Sequence, residues 1–126
     1  MLSNPLHCET ALGTALIVHK SIQPYIYNIN SLPGSAIYID FFFPNNNKIR
    51  VISVYLPTNH PQLLKSTQSL VNIWLNEAKT RNWHSIVLGD FNANERSNKK
   101  QFPIFSSLSS NNLSSLLSFH NITDFT

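Results

Sequence analysis

The feature that most constrains this fold is a long amphipathic segment, residues 60–80, between two apolar strand-like segments. Pro61 suits the first turn of a helix, where its missing N–H leaves no bond unmade, and Asn59 or His60 could cap that turn. Residues suited to one buried helix face recur at three- and four-residue spacing. They are Leu63, Leu64, Thr67, Leu70, Val71, Trp74, Leu75 and Ala78. The sequence therefore predicts a helix over 60–80 that packs on a sheet.

Runs of β-branched and aromatic residues predict the strands. Residues 14–20, 35–43 and 48–55 have this composition, and each is short enough for a single strand. Between the last two, residues 44–47 read Pro-Asn-Asn-Asn, which is typical of a turn. An antiparallel hairpin is therefore expected there.

The remaining pattern predicts an α/β class. Residues 85–89 suit a short buried strand, and a weaker helical pattern runs over 102–119. A hairpin, a helix, a strand and a second helix predict a mixed sheet with its helices on one face. Strand 35–43 has apolar side chains on both faces, so the other face should be covered as well. A length of 126 residues suits one domain.

Composition restricts the class of protein only loosely. The net charge is +3, which is compatible with an anionic partner. The densest basic cluster is Arg96, Lys99 and Lys100, which suits either a solvated loop or a contact to phosphate. Cys8 is the single cysteine, so an internal disulfide is excluded and an intracellular chain is expected. The apolar run 15–18 is too short to span a membrane, and no signal peptide is recognised.

The stretch "SIVLGDFNAN", residues 85–94, places an acid and an amide at the end of an apolar strand. In extended backbone Asp90 and Asn92 point to one side, with Phe91 toward the core. Gly89 removes side-chain bulk beside the acid. Two interpretations are open: a polar site at a strand end, or a turn in which both side chains bind nearby backbone amides.

A second stretch, "SVYLPTN", ends another buried strand with Tyr55 and Pro57. Proline prevents further ladder bonding, so the strand stops there. The hydroxyl of Tyr55 could reach the same cleft as Asp90. Alternatively, Tyr55 is a core or rim residue that a turn follows.

These blocks, in this order and separated by one helix, resemble the endonuclease/exonuclease/phosphatase superfamily. The resemblance is strongest to the endonuclease domains of non-LTR retrotransposons and to apurinic-type DNA nucleases. It covers about residues 11–126 and rests on "VYLPTN" and "IVLGDFNAN". It implies the mixed-sheet part of a four-layered α/β sandwich, with residues 1–126 as one partial domain.

The resemblance also implies metal-dependent hydrolysis of a phosphodiester, with DNA as the expected partner and Mg²⁺ or Mn²⁺ as the cofactor. Asp90 stands where the family's acid orients or deprotonates water. Asn92 stands at the amide that stabilises the phosphate, and Tyr55 at the tyrosine that assists the charged transition state. The implied location is intracellular, and nuclear for a chain derived from a retroelement.

The chain departs from the family at both ends. The family's N-terminal asparagine and metal-binding glutamate have no match, and Glu9 is not in an equivalent context. The C-terminal Ser-x-x-Asp block and final Asp-His pair are also missing, since His120 and Asp124 do not fit that pair. The flanking segments, or a reverse-transcriptase domain, would belong to a parent element.

Other acids are expected to play other parts. Asp40 reads as a sheet-surface residue, Glu77 lies on the polar face of the helix, and Glu95 reads as a solvated loop acid. Asp90 with a neutral Asn92 is a poor cage for a hard divalent cation, which prefers several oxygen ligands. The isolated chain is therefore expected to be feeble or inactive as a nuclease. The alternative is a non-catalytic remnant or interaction module that keeps the α/β scaffold.

Overall fold

The described part of the chain is an α/β unit of six strands and one long helix. A computed structural model describes residues 6–11, 14–57, 59–91, 108 and 113. The elements are β1 (Leu6–Ala11), β2 (Thr14–His19), a 3-10 turn (Gln23–Tyr25), β3 (Ile26–Leu32), β4 (Ala36–Phe43), β5 (Asn47–Tyr55), α1 (Pro61–Thr80) and β6 (His84–Asp90).

Four strands form a mixed sheet in the order β3-β4-β5-β6. β4 pairs antiparallel with β3 and β5, whereas β5 and β6 run parallel. Parallel neighbours need a long crossover, and α1 supplies it. The predicted α/β class, the mixed sheet and the 35–43/48–55 hairpin are confirmed. Asn45 and Asn46 in its turn have φ of 63° and 60°, a left-handed conformation that asparagine tolerates.

The strands β1 and β3 were not predicted. β3 reads "IYNINSL" and is exposed along most of its length. Asn and Ser have low β-propensity, so the sequence signal is weak. β3 is held as an edge strand by its register with β4, in which Ile29 faces Ile39 and Asn30 faces Tyr38.

α1 packs on one face of the sheet, as its periodicity predicts. The Trp74 ring meets the Tyr38 ring edge-on, with centroids 4.8 Å apart. The buried residues of this helix-side core are Ala36, Tyr38, Ile52, Val54, Leu56, Val71, Trp74 and Leu75. His60 occupies the helix N-cap position but makes no side-chain capping bond.

The antiparallel hairpin β1–β2 contributes to the core on the opposite face. Leu16 and Val18 of β2 are buried together with Ile37, Ile39 and Phe41 of β4. The expectation that both sheet faces are covered is thus met over β4. On β6 the cover is incomplete, because the side chains of Ile86 and Leu88 are 48% and 42% exposed.

Asp40 is not a sheet-surface residue, and that prediction was wrong. Its side chain is buried and accepts hydrogen bonds from both Nε and Nη2 of Arg50, at 2.7 and 2.9 Å. Arg50 faces Asp40 across the β4–β5 ladder and is fully buried. From sequence, an acid within a strand is predicted to be exposed. The sequence alone does not reveal that a cation lies opposite it on the neighbouring strand, and that cation is what allows Asp40 to be buried.

Arg50 also ties the sheet to the helix. Its guanidinium donates to the backbone carbonyl of Trp74 at 2.9 Å and pairs with Glu77 at 2.8 Å. The same group lies 4.1 Å from the centre of the Tyr38 ring. Burial alone would lower the pKa of Arg50, but its hydrogen bonds to Asp40 and Glu77 and the nearby negative charge raise it overall. The guanidinium therefore stays charged inside the fold.

α1 ends in a Schellman motif. The Asn82 N–H donates to the Lys79 carbonyl, and the Trp83 N–H donates to the Ala78 carbonyl, at 3.1 and 2.9 Å. Asn82 has φ of 58°, the left-handed conformation that ends many helices.

Replacement of Asn82 tests this ending. Asn82→Gly is expected to leave the free energy of unfolding within about 0.5 kcal/mol of the wild type, because glycine adopts this conformation readily. Asn82→Val is expected to lower it by about 1–2 kcal/mol, since a β-branched residue is strained there. Urea denaturation of both variants measures the difference. Equal stabilities of the glycine and valine variants would contradict the assignment.

The second helix predicted over 102–119 lies outside the described residues, apart from Leu108 and Leu113. Both of these pack against the helix-side core. Among the residues that the structure describes, no helix has the length and apolar character needed to cross a bilayer.

Candidate functional site

The two strand ends that the sequence singled out lie next to each other. β5 and β6 are parallel neighbours, and Tyr55 pairs in register with Asp90 at their carboxyl ends. The Leu56 N–H donates to the Asp90 carbonyl at 2.9 Å, which continues the ladder past the last strand residue. Adjacent strands are about 4.8 Å apart, so the two residues start from neighbouring points on one sheet edge.

Tyr55 projects from the face opposite α1. Val54 and Leu56, on either side of it, are fully buried in the helix-side core. Side chains alternate along a strand, so Tyr55 emerges on the hairpin side, where it is half-buried.

Asp90 projects from the same face. Val87 and Phe91 both pack against the helix-side core, as the sequence predicted for Phe91. Alternation then places Asp90 with Ile86 and Leu88 on the opposite face, where its side chain is exposed. The structure thus brings Tyr55 and Asp90 together on one side of the sheet. Asn92, the third predicted site residue, lies outside the described residues.

Gly89 is required by this close approach. Its φ is +133°, a conformation that residues with a side chain rarely adopt, and a Cβ there would lie 1.9 Å from the Val54 carbonyl oxygen. The sequence-based expectation that this glycine is positional is confirmed. Gly89 allows β6 to meet β5 closely just before Asp90.

Neighbouring residues hold the backbone at the end of β5 in place. The Tyr55 N–H donates to the Ser35 carbonyl at 2.7 Å, and Pro57 is buried. On the hairpin side the hydroxyls of Thr14 and Ser53 are in contact. The sequence gives no sign of this contact, because the two hydroxyls are 39 residues apart in the chain.

Among the described residues, the chemistry available at this edge is that of one carboxylate and one phenol. An ionised Asp90 can accept a hydrogen bond from water, and Tyr55 can donate one to an anionic oxygen. The other acids whose side chains are described, Asp40 and Glu77, are bound to Arg50 on the helix side. The carboxylate and the phenol therefore stand apart from the buried ion pair.

A divalent cation does not fit the described donor set. Mg²⁺ prefers an octahedron of oxygen ligands, and across the described residues no group of three or more His, Cys, Asp or Glu side chains comes together to hold a metal ion. Asp90 alone offers one carboxylate. Asn92 and Glu95 lie outside the described residues.

No protein-family model matches the chain, and a search of curated proteins finds no match either. The geometry of Tyr55 and Asp90 therefore carries the functional argument.

Proposed function

We propose that the carboxyl edge of β5 and β6 is part of a phosphodiesterase site, and that the chain is a partial domain of the endonuclease/exonuclease/phosphatase type that acts on DNA. The observation that carries the proposal is the in-register pairing of Tyr55 with Asp90. The two come from motifs 35 positions apart and meet at the ends of parallel strands, where ligands of α/β sheets commonly bind.

Phosphodiester hydrolysis needs two functions that these side chains can supply. A carboxylate that holds an attacking water accepts its proton as the water oxygen bonds to phosphorus. The bond from phosphorus to the leaving ester oxygen breaks, and that oxygen takes a proton from solvent. A hydroxyl donor beside it stabilises the negative charge that develops on a phosphate oxygen. Asp90 is exposed, as the first role requires, and Tyr55 is half-buried, which restricts the positions of its ring. Asn92 is proposed as a second donor.

We include Mg²⁺ or Mn²⁺ in the proposal because the resemblance to the superfamily implies such a cofactor. Such an ion would neutralise charge on the phosphate oxygens. Since Asp90 is a single carboxylate, the described residues alone do not form its site, and we assign no step to it.

The proposal also concerns architecture and location. α1 covers one face of the sheet, and the hairpin β1–β2 contributes to the core on the other. This layering supports the sheet as the inner layer of a four-layered α/β sandwich. The proposed setting is a retroelement-derived protein that acts in the nucleus.

A non-catalytic scaffold is the second candidate. It is favoured by the contrast between a well-packed helix-side core and an edge at which the described residues supply one carboxylate. A scaffold of this type would keep Gly89 and the β5–β6 pairing, because both hold the fold together, but it would not need the Asp90 carboxylate.

Nicking of supercoiled plasmid with Mg²⁺ or Mn²⁺ tests the phosphodiesterase proposal. The isolated chain is expected to nick slowly. Asp90→Asn is expected to reduce the rate by at least about 10²-fold, because the base is lost. Tyr55→Phe is expected to reduce it by about 10²-fold, because one donor to the transition state is lost.

The matched control is His84→Ala, which alters an exposed residue at the other end of β6 and should leave nicking unchanged. Nicking that survives Asp90→Asn would refute the assignment. No nicking by any form of the chain would favour the scaffold. Hydrolysis of a small chromogenic phosphodiester without plasmid nicking would move the substrate class away from DNA.

A further inference from the structure

A row of aromatic and basic side chains crosses the helix side of the sheet. It lies at the end of β5 opposite to Tyr55. Tyr27 on β3, Phe42 on β4 and Lys48 on β5 follow one another across the strands, since Phe42 pairs with Lys48. Trp83 directly precedes β6. We call Tyr27, Phe42, Lys48 and Trp83, together with Arg81, the aromatic row.

The rings of the aromatic row are ordered against one another. Tyr27 stacks on Phe42 with centroids 3.9 Å apart and planes 8° from parallel. Phe42 meets Trp83 edge-on, at 5.2 Å and 76°. Such contacts restrict the rings before any ligand arrives, so little rotamer freedom is left to lose on binding.

Tyr27 leaves one face of its ring open. Phe42 covers the other face, yet Tyr27 is still 64% exposed. The β3–β4 register shifts between Ile26 and Asn28, at Tyr27 itself. A bulge of this kind re-aims a side chain, and here it places the tyrosine over Phe42. Cross-strand packing accounts for the covered face but not for the large ring surface left in solvent.

Cations flank the rings. The Lys48 Nζ lies 4.8 Å from the centre of the Phe42 ring, and the Arg81 Cζ lies 5.0 Å from that of Trp83. Arg81 is exposed and Lys48 is partly exposed, so both charges face solvent. Among the described residues, Asp40 and Glu77 share the single guanidinium of Arg50. Three cations (Arg50, Lys48 and Arg81) and two acids give these groups a net charge of +1, so the surface is weakly positive as well as aromatic.

We propose that the aromatic row binds an unpaired nucleotide strand. One base stacks on the open face of Tyr27, and the strand continues across the sheet from β3 toward β6, so that Lys48 and Arg81 contact the phosphates of the nucleotides that follow on that side. An aromatic platform beside cations is the chemistry that recognises single-stranded nucleic acid, because every base has a π-face and every linkage has a negative charge. A neutral partner would gain nothing from the two cations.

This surface is separate from the candidate phosphodiesterase edge. Lys48 and Tyr55 lie at opposite ends of β5, seven residues apart, which is about 23 Å along a strand. The aromatic row also lies on the helix side, whereas Tyr55 and Asp90 face the hairpin side. The proposal therefore stands whether or not the chain hydrolyses DNA.

Fluorescence anisotropy with labelled oligothymidylate, oligouridylate and a DNA duplex tests the proposal. The full chain is used with EDTA, so that no hydrolysis contributes. Tyr27→Ala is expected to weaken binding to the single strands about tenfold, and Tyr27→Phe to leave it unchanged, because stacking needs the ring and not the hydroxyl. Lys48→Gln should reduce the slope of log affinity against log salt by about 1.

The matched control is Tyr25→Ala, which removes a 37% exposed tyrosine that contacts Phe43 instead. It should bind like the wild type.

Equal binding by Tyr27→Ala and wild type, or an equal loss in Tyr25→Ala, would overturn the proposal. So would tighter binding to duplex than to single strands, or sedimentation showing that Tyr27 instead mediates self-association. Thermal midpoints of all variants confirm folding, and Lys48→Gln keeps the test valid if the alanine variant unfolds, because an unchanged salt slope would contradict its contact to phosphate.

Discussion

Removal of one partner of the buried Asp40–Arg50 pair is expected to destabilise the fold by about 3–5 kcal/mol. Asp40→Leu leaves a guanidinium that is fully buried, and of its two described acid partners the half-exposed Glu77 alone remains to balance the charge. The Nε and Nη2 hydrogen bonds to Asp40 are lost without replacement. Since domains of this size are stable by about 5–15 kcal/mol, urea denaturation should show a large shift in midpoint.

A double-mutant cycle separates the charge effect from packing. Arg50→Met alone should also be strongly destabilising, because Asp40 is then buried without its partner. The double variant Asp40→Leu/Arg50→Met should recover most of the loss, since an apolar pair of similar volume needs no compensation. Additive losses in the double variant would show that volume, and not an unpaired charge, determines the cost. Glu77→Gln is the milder control, because Glu77 is 41% exposed.

Gly89→Ala is expected to cost about 3 kcal/mol or more and to separate Asp90 from Tyr55. The new methyl group would lie 1.9 Å from the Val54 carbonyl oxygen. The obstacle is backbone and not a flexible side chain, so β6 has to move away from β5. The unfavourable φ adds strain of about 1–3 kcal/mol. Urea denaturation measures the total loss, and amide exchange of Leu56, which donates to Asp90, measures the local separation.

Gly34→Ala is the matched control for Gly89→Ala. Gly34 also has a positive φ, of +89°, but a Cβ there would meet only Leu63 Cδ2, at 3.9 Å. That variant should therefore show the strain without the clash, a loss of about 1–2 kcal/mol. Equal losses in the two variants would contradict the view that close approach of the strands requires Gly89.

The periodic and strongly apolar parts of the fold were predictable from the sequence. The 3.6-residue pattern over 60–80 matches α1 (Pro61–Thr80), and the apolar runs match β2, β4, β5 and β6 closely. Local pattern suffices there because α1, β2, β4 and β5 each have a buried face of their own. β6 forms as predicted, but the expectation that it is buried was wrong, because its residues are exposed or only partly buried. β3 was missed, since an edge strand with exposed Asn and Ser has no such face and depends on pairing with β4.

The candidate site was predictable in part. The sequence singled out Tyr55 and Asp90 as candidate site residues at two strand ends and Gly89 as a positional glycine, and the register places Tyr55 beside Asp90. It could not show that Thr14 lies beside Ser53, or that Asp40 is buried, because both facts depend on partners from other strands. Asn92 stays a prediction.

The sequence was enough to locate the long helix, four of the six described strands (β2, β4, β5 and β6) and the residues at the strand ends, since hydrophobic period and turn chemistry are local properties of the chain. Which of those residues meet depends on how the strands pair and pack. The parallel register of β5 and β6 places Tyr55 beside Asp90. The β3–β4–β5 ladder places the aromatic row at the opposite end of β5. Register depends on the packing of the whole sheet against α1 and the hairpin, and a contact between distant residues forms only when that packing is complete.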